Sequence, residues 1–168
     1  MTPLPAAITG VTTLPELMAW RLEAARHAPL WDAGEGAFQV GGRWSSKGRR
    51  VIYTSLDPAT AILEVAVHKG FKALDTVAHQ LLGIHILAPT KVHVLNASTI
   101  TNPQWLRPGA VSKNQQAFGD HLLSSHPLVL IPSVVSAHSW NLMIDVGGAA
   151  GLFSLTSTEE FALDTRLS

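Results

Sequence analysis

The sequence predicts a single α+β domain, with strands forming a central sheet and helices packed around it. A length of 168 residues, of which 46% are hydrophobic, is sufficient for one domain with a sizeable core. Several short apolar segments bounded by Pro, Asn, Gly or Thr are typical of strands, whereas three longer segments have the spacing or composition of helices. We expect an N-terminal arm over 1–18 and the folded domain over 19–168.

The N-terminal third begins with a segment, 1–13, that carries two Pro and one Gly without any periodicity. Leu14–His27 has the composition of one helix, and a short strand over Ala19–Leu22 followed by a helical turn is the alternative. The sequence leaves both open. Residues 28–42 form a connector that ends in two adjacent glycines, which allow a close approach of the backbone to a ligand.

The next segment predicts a strand followed by a helix. β-branched and aromatic residues over Val51–Thr54 are typical of a strand, and Tyr53 lies near its end. Asp57 and Pro58 form a typical helix start, because Asp accepts hydrogen bonds from free backbone N–H groups and Pro suits the first helical position. Apolar residues at 59, 62, 63, 66 and 67 follow the helical spacing, and Gly70 marks the end of the helix.

The second half predicts more strands and one further helix. The strands are expected at 81–87, 91–95 and 140–145, with one or two closing strands within 152–168. Asn114–Ser125 has the composition of a helix that Gly119 weakens. The apolar run 128–135 is interrupted by Pro132, which predicts an edge or bulged strand because Pro cannot donate to the ladder.

Composition excludes several classes of function. The net charge of zero argues against direct nucleic-acid binding through bulk charge. The absence of Cys excludes disulfides and Cys-based zinc sites, and the eight His show no spacing typical of a metal site. There is no long apolar run and no signal-peptide pattern, so we expect a cytoplasmic protein without membrane contact. The charged fraction of 14% favours some apolar surface for a partner, with Trp31 and Trp105 as exposed candidates.

The candidate functional segment runs from 41 to 70. Its loop carries four cations within eight positions, namely Arg43, Lys47, Arg49 and Arg50. Glu64 lies within the apolar helix that follows, where a carboxylate is costly to bury unless it is paired or used. Taken separately, the loop could be a solvated turn and Glu64 a surface acid paired with Thr60 or His68. Together they indicate an active site for an anionic ligand.

Two further polar residues have less distinctive surroundings. Ser133 follows the break at Pro132, but no GxSxG pattern surrounds it, so a hydrolytic triad is disfavoured. Arg21 lies between Trp20 and Leu22, and it is either a surface residue with its stem on apolar groups or a buried, paired cation.

The residues of this segment resemble the signature of RES-domain proteins, the toxins of RES–Xre toxin–antitoxin pairs. The resemblance is carried by GGRW at 41–44, VIYTS at 51–55 and AILEVAVH at 61–68. It extends to Trp20–Leu22, to Trp140–Leu142 and to FALDTRL at 161–167, and so to nearly the whole chain. It departs from the family in PSVVSAHSW at 132–140, where acidic or Gly residues are common. The three residues that name the family fall on Arg43, Glu64 and Ser133.

The resemblance implies a mixed central sheet of the ADP-ribosyltransferase kind and an enzyme that consumes NAD+. RES toxins break the nicotinamide–ribose bond by phosphorolysis or hydrolysis, and no metal is needed. Glu64, Arg43 and Ser133 are then the expected catalytic residues. The residues expected to bind NAD+ are Arg21, Arg43, Tyr53, Ser133 and Asn141.

The sequence leaves two other functions open. One is the transfer of ADP-ribose to a protein, which uses the same donor pocket; the other is a non-catalytic module that binds a phosphorylated ligand. The resemblance also implies a helix-turn-helix antitoxin of the Xre type that covers the active site, and we allow for a homodimer of this chain within that complex. A cleft lined by Arg43, Lys47 and Arg49 would attract an acidic segment of such a partner.

Overall fold

A computed structural model describes residues 4, 8, 16–100, 102–107, 109, 111–164 and 166. These residues form one mixed sheet of seven strands in the order β4-β5-β6-β2-β1-β3-β7. The strands are β1 Leu17–Ala24, β2 Val51–Ser55, β3 His79–Ile86, β4 His93–Val94, β5 Leu128–Pro132, β6 Trp140–Asp145 and β7 Phe153–Phe161. Only the β4–β5 pair is parallel within this sheet. The predicted α+β class is confirmed.

Four α-helices lie within the described part of the chain: α1 Glu35–Val40, α2 Pro58–Lys69, α3 Phe71–Thr76 and α4 Lys113–Ser125. The two longer helices, α2 and α4, confirm the predictions. Asp57 caps α2 by accepting from the backbone N–H and the hydroxyl of Thr60. The helices α1 and α3 were not predicted, because six residues are too few to show a helical period. None of the described helices is long and apolar enough to cross a lipid bilayer.

The segment 17–24 is a strand, so the single helix over Leu14–His27 is wrong. β1 pairs with β3 along its whole length, from Leu17 opposite Ile86 to Ala24 opposite His79. This pairing outweighs the helix-favouring composition of the segment. The alternative of a short strand is correct in kind but too short. Most of the predicted arm 1–18 lies outside the described residues.

The prediction of an edge strand at 128–135 is also wrong. β5 lies between β4 and β6, and all five of its residues are buried. Pro132 is its last residue and lies opposite Trp140. Because the ladder to β4 involves only Val129 and Leu130, the missing N–H of Pro132 costs no hydrogen bond on that side.

The loop that precedes β2, residues 41–50, packs against α4 and the sheet. Trp44 is almost fully buried in a cluster with Trp105 and Met143. At Gly119 of α4, an added Cβ would lie 1.9 Å from the carbonyl oxygen of Trp44. Gly119 therefore permits a direct backbone contact between helix and loop, a role that its helix-weakening character did not suggest. Trp105 is 9% exposed, so its expected place on a partner surface is wrong.

Candidate active site

Glu64 lies in the middle of α2, and its carboxylate accepts hydrogen bonds from residues in and directly after strands of the sheet. Its Oε1 accepts from Ser133 Oγ at 2.9 Å and from Asn141 Nδ2 at 2.5 Å. Oε2 has no hydrogen-bond partner among the described residues. Thr60, one of the alternative partners, donates its hydroxyl to Asp57 instead. Within the described part of the chain, the structure therefore shows an oriented acid with Oε1 engaged and Oε2 available.

Ser133 is fully buried at the end of β5, in the turn that leads to β6. Besides donating to Glu64, its Oγ accepts from the N–H of Ser136 at 3.1 Å, and its own N–H donates to the Ser139 carbonyl at 2.9 Å. These bonds aim the hydroxyl at the carboxylate. The structure thus brings Ser133 to Glu64, and it gives Ser133 no exposed surface for a ligand.

Asn141 lies on β6, and its side chain links β2 to α2 through hydrogen bonds at both ends of its amide. Its Nδ2 donates to Glu64, and its Oδ1 accepts from Ser55 Oγ at 2.8 Å. Ser55 is the residue opposite Asn141 in the β2–β6 register. Ser55 was not predicted as a site residue, because the strand was expected to end at Thr54, one residue earlier than it does.

Arg43 is the loop cation whose charge interacts with the same acid. Its Nη1 donates to the carbonyl oxygens of Arg107 at 3.2 Å and Trp105 at 3.4 Å. Burial lowers the pKa of the Arg43 guanidinium, and the negative charge of Glu64 acts in the opposite direction. Arg43 therefore lies within electrostatic reach of Glu64 and also fastens the segment 105–107.

Tyr53 supports the loop that carries Arg43. Its hydroxyl is 2.8 Å from Ser45 Oγ and accepts from the N–H of Trp44 at 3.3 Å. A Cβ at Gly42 would lie 2.4 Å from this hydroxyl, so the second glycine of the pair gives room for the phenol. Burial raises the pKa of Tyr53 to about 12. The phenol is therefore uncharged near neutral pH, and it anchors the loop through its hydrogen bonds to Trp44 and Ser45.

Arg21 is a paired cation. It forms an ion pair with Glu23 on the same strand, and its Nη1 donates to the Tyr53 carbonyl at 2.9 Å across β1 and β2. The side chain is 26% exposed, which agrees better with the paired alternative than with a free surface residue.

The remaining cations of the loop are arranged differently. Arg49 Nε bonds Asp145 Oδ1 at 2.8 Å, and its Nη1 donates to the carbonyl oxygen of Asp120 at 2.9 Å. Arg50 pairs with Glu35 at 2.5 Å and lies over the ring of Phe38. The expectation that Arg49 lines an open cleft is wrong, because it joins the loop to α4 and β6. Lys47 is exposed.

No group of three or more His, Asp or Glu side chains in the described part of the chain could hold a metal ion. His93 and His126 stack with ring centroids 4.0 Å apart, at the β4 edge of the sheet.

A family model described as the RES domain matches residues 18–164. The chain belongs to the RES domain family. Two curated relatives are both named Toxin Res. One, from Pseudomonas putida, is 28% identical over 153 residues, which cover 90% of this chain and 99% of the relative. The other, from Photorhabdus laumondii subsp. laumondii, is 26% identical over 130 residues, which cover 77% and 81%.

The fold of this RES domain also occurs in a solved structure. A chain of the M. tuberculosis MbcT-MbcA toxin-antitoxin complex superposes with a TM-score of 0.67 at 20% identity, covering 88% of this chain and 85% of that one. This similarity supports the single-domain architecture described above.

Proposed function

We propose that this RES domain is the toxin of a toxin–antitoxin pair and that it depletes NAD+ by breaking the nicotinamide–ribose bond. The observation that carries the proposal is the Glu64 carboxylate, which is held through Oε1 and keeps Oε2 available, within reach of the positive charge of Arg43. The toxin names of the two relatives and the complex in which the structural neighbour was solved support the biological role.

The proposed reaction needs a placed negative charge. The bond between the ribose carbon and the nicotinamide nitrogen breaks, its electron pair leaves with neutral nicotinamide, and an oxocarbenium-like sugar forms. Cleavage of other glycosidic bonds passes through the same kind of state, which a carboxylate stabilises. Glu64 Oε2 supplies that charge and accepts from a ribose hydroxyl. Phosphate or water then attacks the sugar carbon, and an attacking water loses its proton to solvent.

The other residues bind and orient NAD+ in this proposal. Arg43 and Arg21 offer planar guanidinium groups suited to the pyrophosphate. Tyr53, whose ring is half-buried, stacks on nicotinamide. Ser133 and Asn141 hold Glu64, and the amide of Asn141 lies close enough to the acid to reach the same ribose. No step requires a metal ion, since nicotinamide is already a cationic leaving group.

Glu64→Gln tests the proposal directly. The glutamine carbonyl can still accept from Ser133 and Asn141, so the variant removes the charge and keeps the hydrogen bonds. We expect a loss of about 10²-fold or more in NAD+ cleavage, the scale of one electrostatic group in the transition state. The matched control is Glu159→Gln, an exposed acid of β7. Near-full turnover by Glu64→Gln with an unchanged melting temperature would contradict the assignment.

The products distinguish the alternatives. Purified protein is incubated with NAD+ with and without phosphate, and nicotinamide, ADP-ribose and ADP-ribose-1″-phosphate are measured. The phosphorylated product indicates phosphorolysis, and ADP-ribose indicates hydrolysis. Label transferred to a protein would indicate an ADP-ribosyltransferase. Binding of NAD+ without release of nicotinamide would indicate the non-catalytic module.

The proposal includes a partner, an Xre-type helix-turn-helix antitoxin encoded next to this chain, which blocks NAD+ cleavage. The exposed Lys47 and the partly exposed Arg43 would attract an acidic segment of this partner, whereas Arg49 is ion-paired with Asp145. Co-expression, co-purification and an assay of the complex provide the test. A neighbour that does not bind, or a complex that cleaves NAD+ at the rate of the isolated protein, would exclude occlusion of the site.

A further inference from the structure

We infer that Ser55 is a positioning residue for the Glu64 carboxylate and that it acts through the side-chain amide of Asn141. Ser55 is the last residue of β2 and is 2% exposed, so it cannot contact a substrate in the cleft. Its Oγ donates to Asn141 Oδ1 at 2.8 Å, and Asn141 Nδ2 donates to Glu64 Oε1. The inference rests on the proposed function for its kinetic test, and a second measurement is independent of that function.

The orientation of the Asn141 side-chain amide is determined at both of its ends. An Asn side chain has an acceptor end and a donor end of nearly the same shape, so its neighbours decide its orientation. In this site the hydroxyl of Ser55 engages the oxygen, and the carboxylate engages the nitrogen. A reversed amide would place Oδ1 against Glu64 Oε1, and two acceptors would then repel each other. Ser55 and Glu64 therefore support one orientation from opposite sides.

Loss of the Ser55 hydroxyl leaves Oδ1 without its donor. The amide then gains freedom to rotate toward other partners, and Glu64 keeps only Ser133 as a fixed donor. Small displacements of a catalytic group reduce the rate of the chemical step strongly. Because Ser55 itself does not touch the ligand, we expect Ser55→Ala to lower kcat about 10-fold or more, with a smaller effect on the KM for NAD+.

Thr54, the preceding residue of β2, provides a matched control. It is also buried, and its Oγ1 donates to the Leu142 carbonyl on the same neighbouring strand, also at 2.8 Å. Thr54→Val removes a buried cross-strand hydrogen bond without involving Asn141 or Glu64. A purely structural role for Ser55 predicts that both variants lower the melting temperature and that neither lowers kcat per folded molecule. The positioning role predicts that only Ser55→Ala lowers kcat.

The decisive experiment combines this comparison with a double-mutant cycle. If Ser55 acts only through the amide, Ser55→Ala should cause no further loss of kcat in an Asn141→Ala background. Independent, multiplied losses in the double variant would overturn the inference, and so would wild-type kcat in Ser55→Ala.

Hydrogen exchange of the Asn141 side-chain amide, measured by NMR, tests the geometry without any substrate. We expect protected Nδ2 protons in the wild type and in Thr54→Val, and fast exchange in Ser55→Ala. Unchanged protection in Ser55→Ala would overturn the inference even if Asn141→Ala fails to fold. If the wild-type protein releases no nicotinamide while the protection changes as expected, the proposed function fails and the positioning role stands.

Discussion

The two ends of the loop 41–50 contain the same kind of residue and use it differently. At the N-terminal end, Arg43 lies in the field of Glu64 and fastens the segment 105–107 through backbone carbonyls. At the C-terminal end, Arg49 and Arg50 form ion pairs with Asp145 and Glu35. One end therefore serves the candidate site, and the other joins the loop to helices and sheet. The comparison teaches that a basic segment is not one functional unit, because the partner of each cation decides its role.

The largest expected difference between the two ends is catalytic. Arg43→Ala should lower NAD+ cleavage about 10²-fold and raise KM, because a pyrophosphate contact fixes position as well as affinity. Arg43→Lys should restore only part of the activity, since an ammonium group cannot reproduce bidentate geometry. Steady-state kinetics on Arg43→Ala and Arg50→Ala measure the difference. Equal losses in the two variants would mean that the loop acts only as a diffuse positive field.

The anchoring of the Arg43 end should also be visible in a titration of Tyr53, the single tyrosine of the chain. The pKa of Tyr53 is raised to about 12 in the folded protein, whereas an unfolded tyrosine has a pKa of about 10. The folded state thus holds the proton more tightly, and this contribution to stability is complete below about pH 10 and lost between about pH 10 and 12.

Absorbance of the tyrosinate ion measures this effect. At about pH 10 the native protein should show almost no tyrosinate, while the chain in denaturant should be about half ionised. In Tyr53→Phe, the loss of stability across this alkaline range should be smaller than in the wild type. Half-ionisation of the native protein at about pH 10 would show that the phenol is not held as described.

A substitution at the contact with α4 should disturb the loop as a whole. Gly119→Ala places a methyl group within 1.9 Å of the Trp44 carbonyl oxygen, so helix and loop must separate. We expect a loss of about 1–3 kcal/mol in the free energy of unfolding, the usual cost of overpacking. Gly36→Ala is the control, since it lies in α1 with open space around it and should be neutral or stabilising. Urea denaturation compares the two, and a neutral Gly119→Ala would contradict the close contact.

The smallest expected effects are the losses of stability when either ion pair at the C-terminal end of the loop is removed. Arg49→Ala removes a partly buried ion pair and a bond to the Asp120 carbonyl, which should cost about 1.5–3 kcal/mol of stability. Arg50→Ala breaks a more exposed pair and should cost less than about 1 kcal/mol. Both variants should keep their activity per folded molecule. A catalytic defect in Arg49→Ala with unchanged stability would show that Arg49 acts at the candidate site and not as a structural link.

Much of the architecture could be predicted from local patterns. The strand β2 follows from residue type, although it was predicted to end at Thr54, one residue early. The capped helix α2 follows from spacing, since Asp57, Pro58 and Gly70 mark its ends. β1 could not be predicted with certainty, because its pairing with β3 is a tertiary interaction that outweighs local composition. The internal place of β5 was missed for a related reason, as the position of Pro132 at the end of a ladder depends on the register with β6.

The candidate site was predictable in part. Glu64 is conspicuous as a carboxylate within an apolar helix, and its proximity to Ser133 and Asn141 agrees with the family resemblance. The roles of Ser55 and Gly119 could not be predicted, because a strand serine and a helix glycine acquire such roles only through contacts with distant segments. Composition and spacing alone do not distinguish Arg43 from Arg49; only the resemblance of GGRW at 41–44 does.

The separation along the chain between Glu64 and its two donors has a consequence for synthesis. Ser133 follows Glu64 by 69 residues and Asn141 follows it by 77. During synthesis, Glu64 is therefore made long before the residues that donate hydrogen bonds to it. Any fragment that stops before β6 lacks Asn141, one of the two donors. For a protein proposed to consume the NAD+ of the cell that makes it, translation itself delays the onset of activity. The two donors of Glu64 are both present only when β6 has emerged from the ribosome.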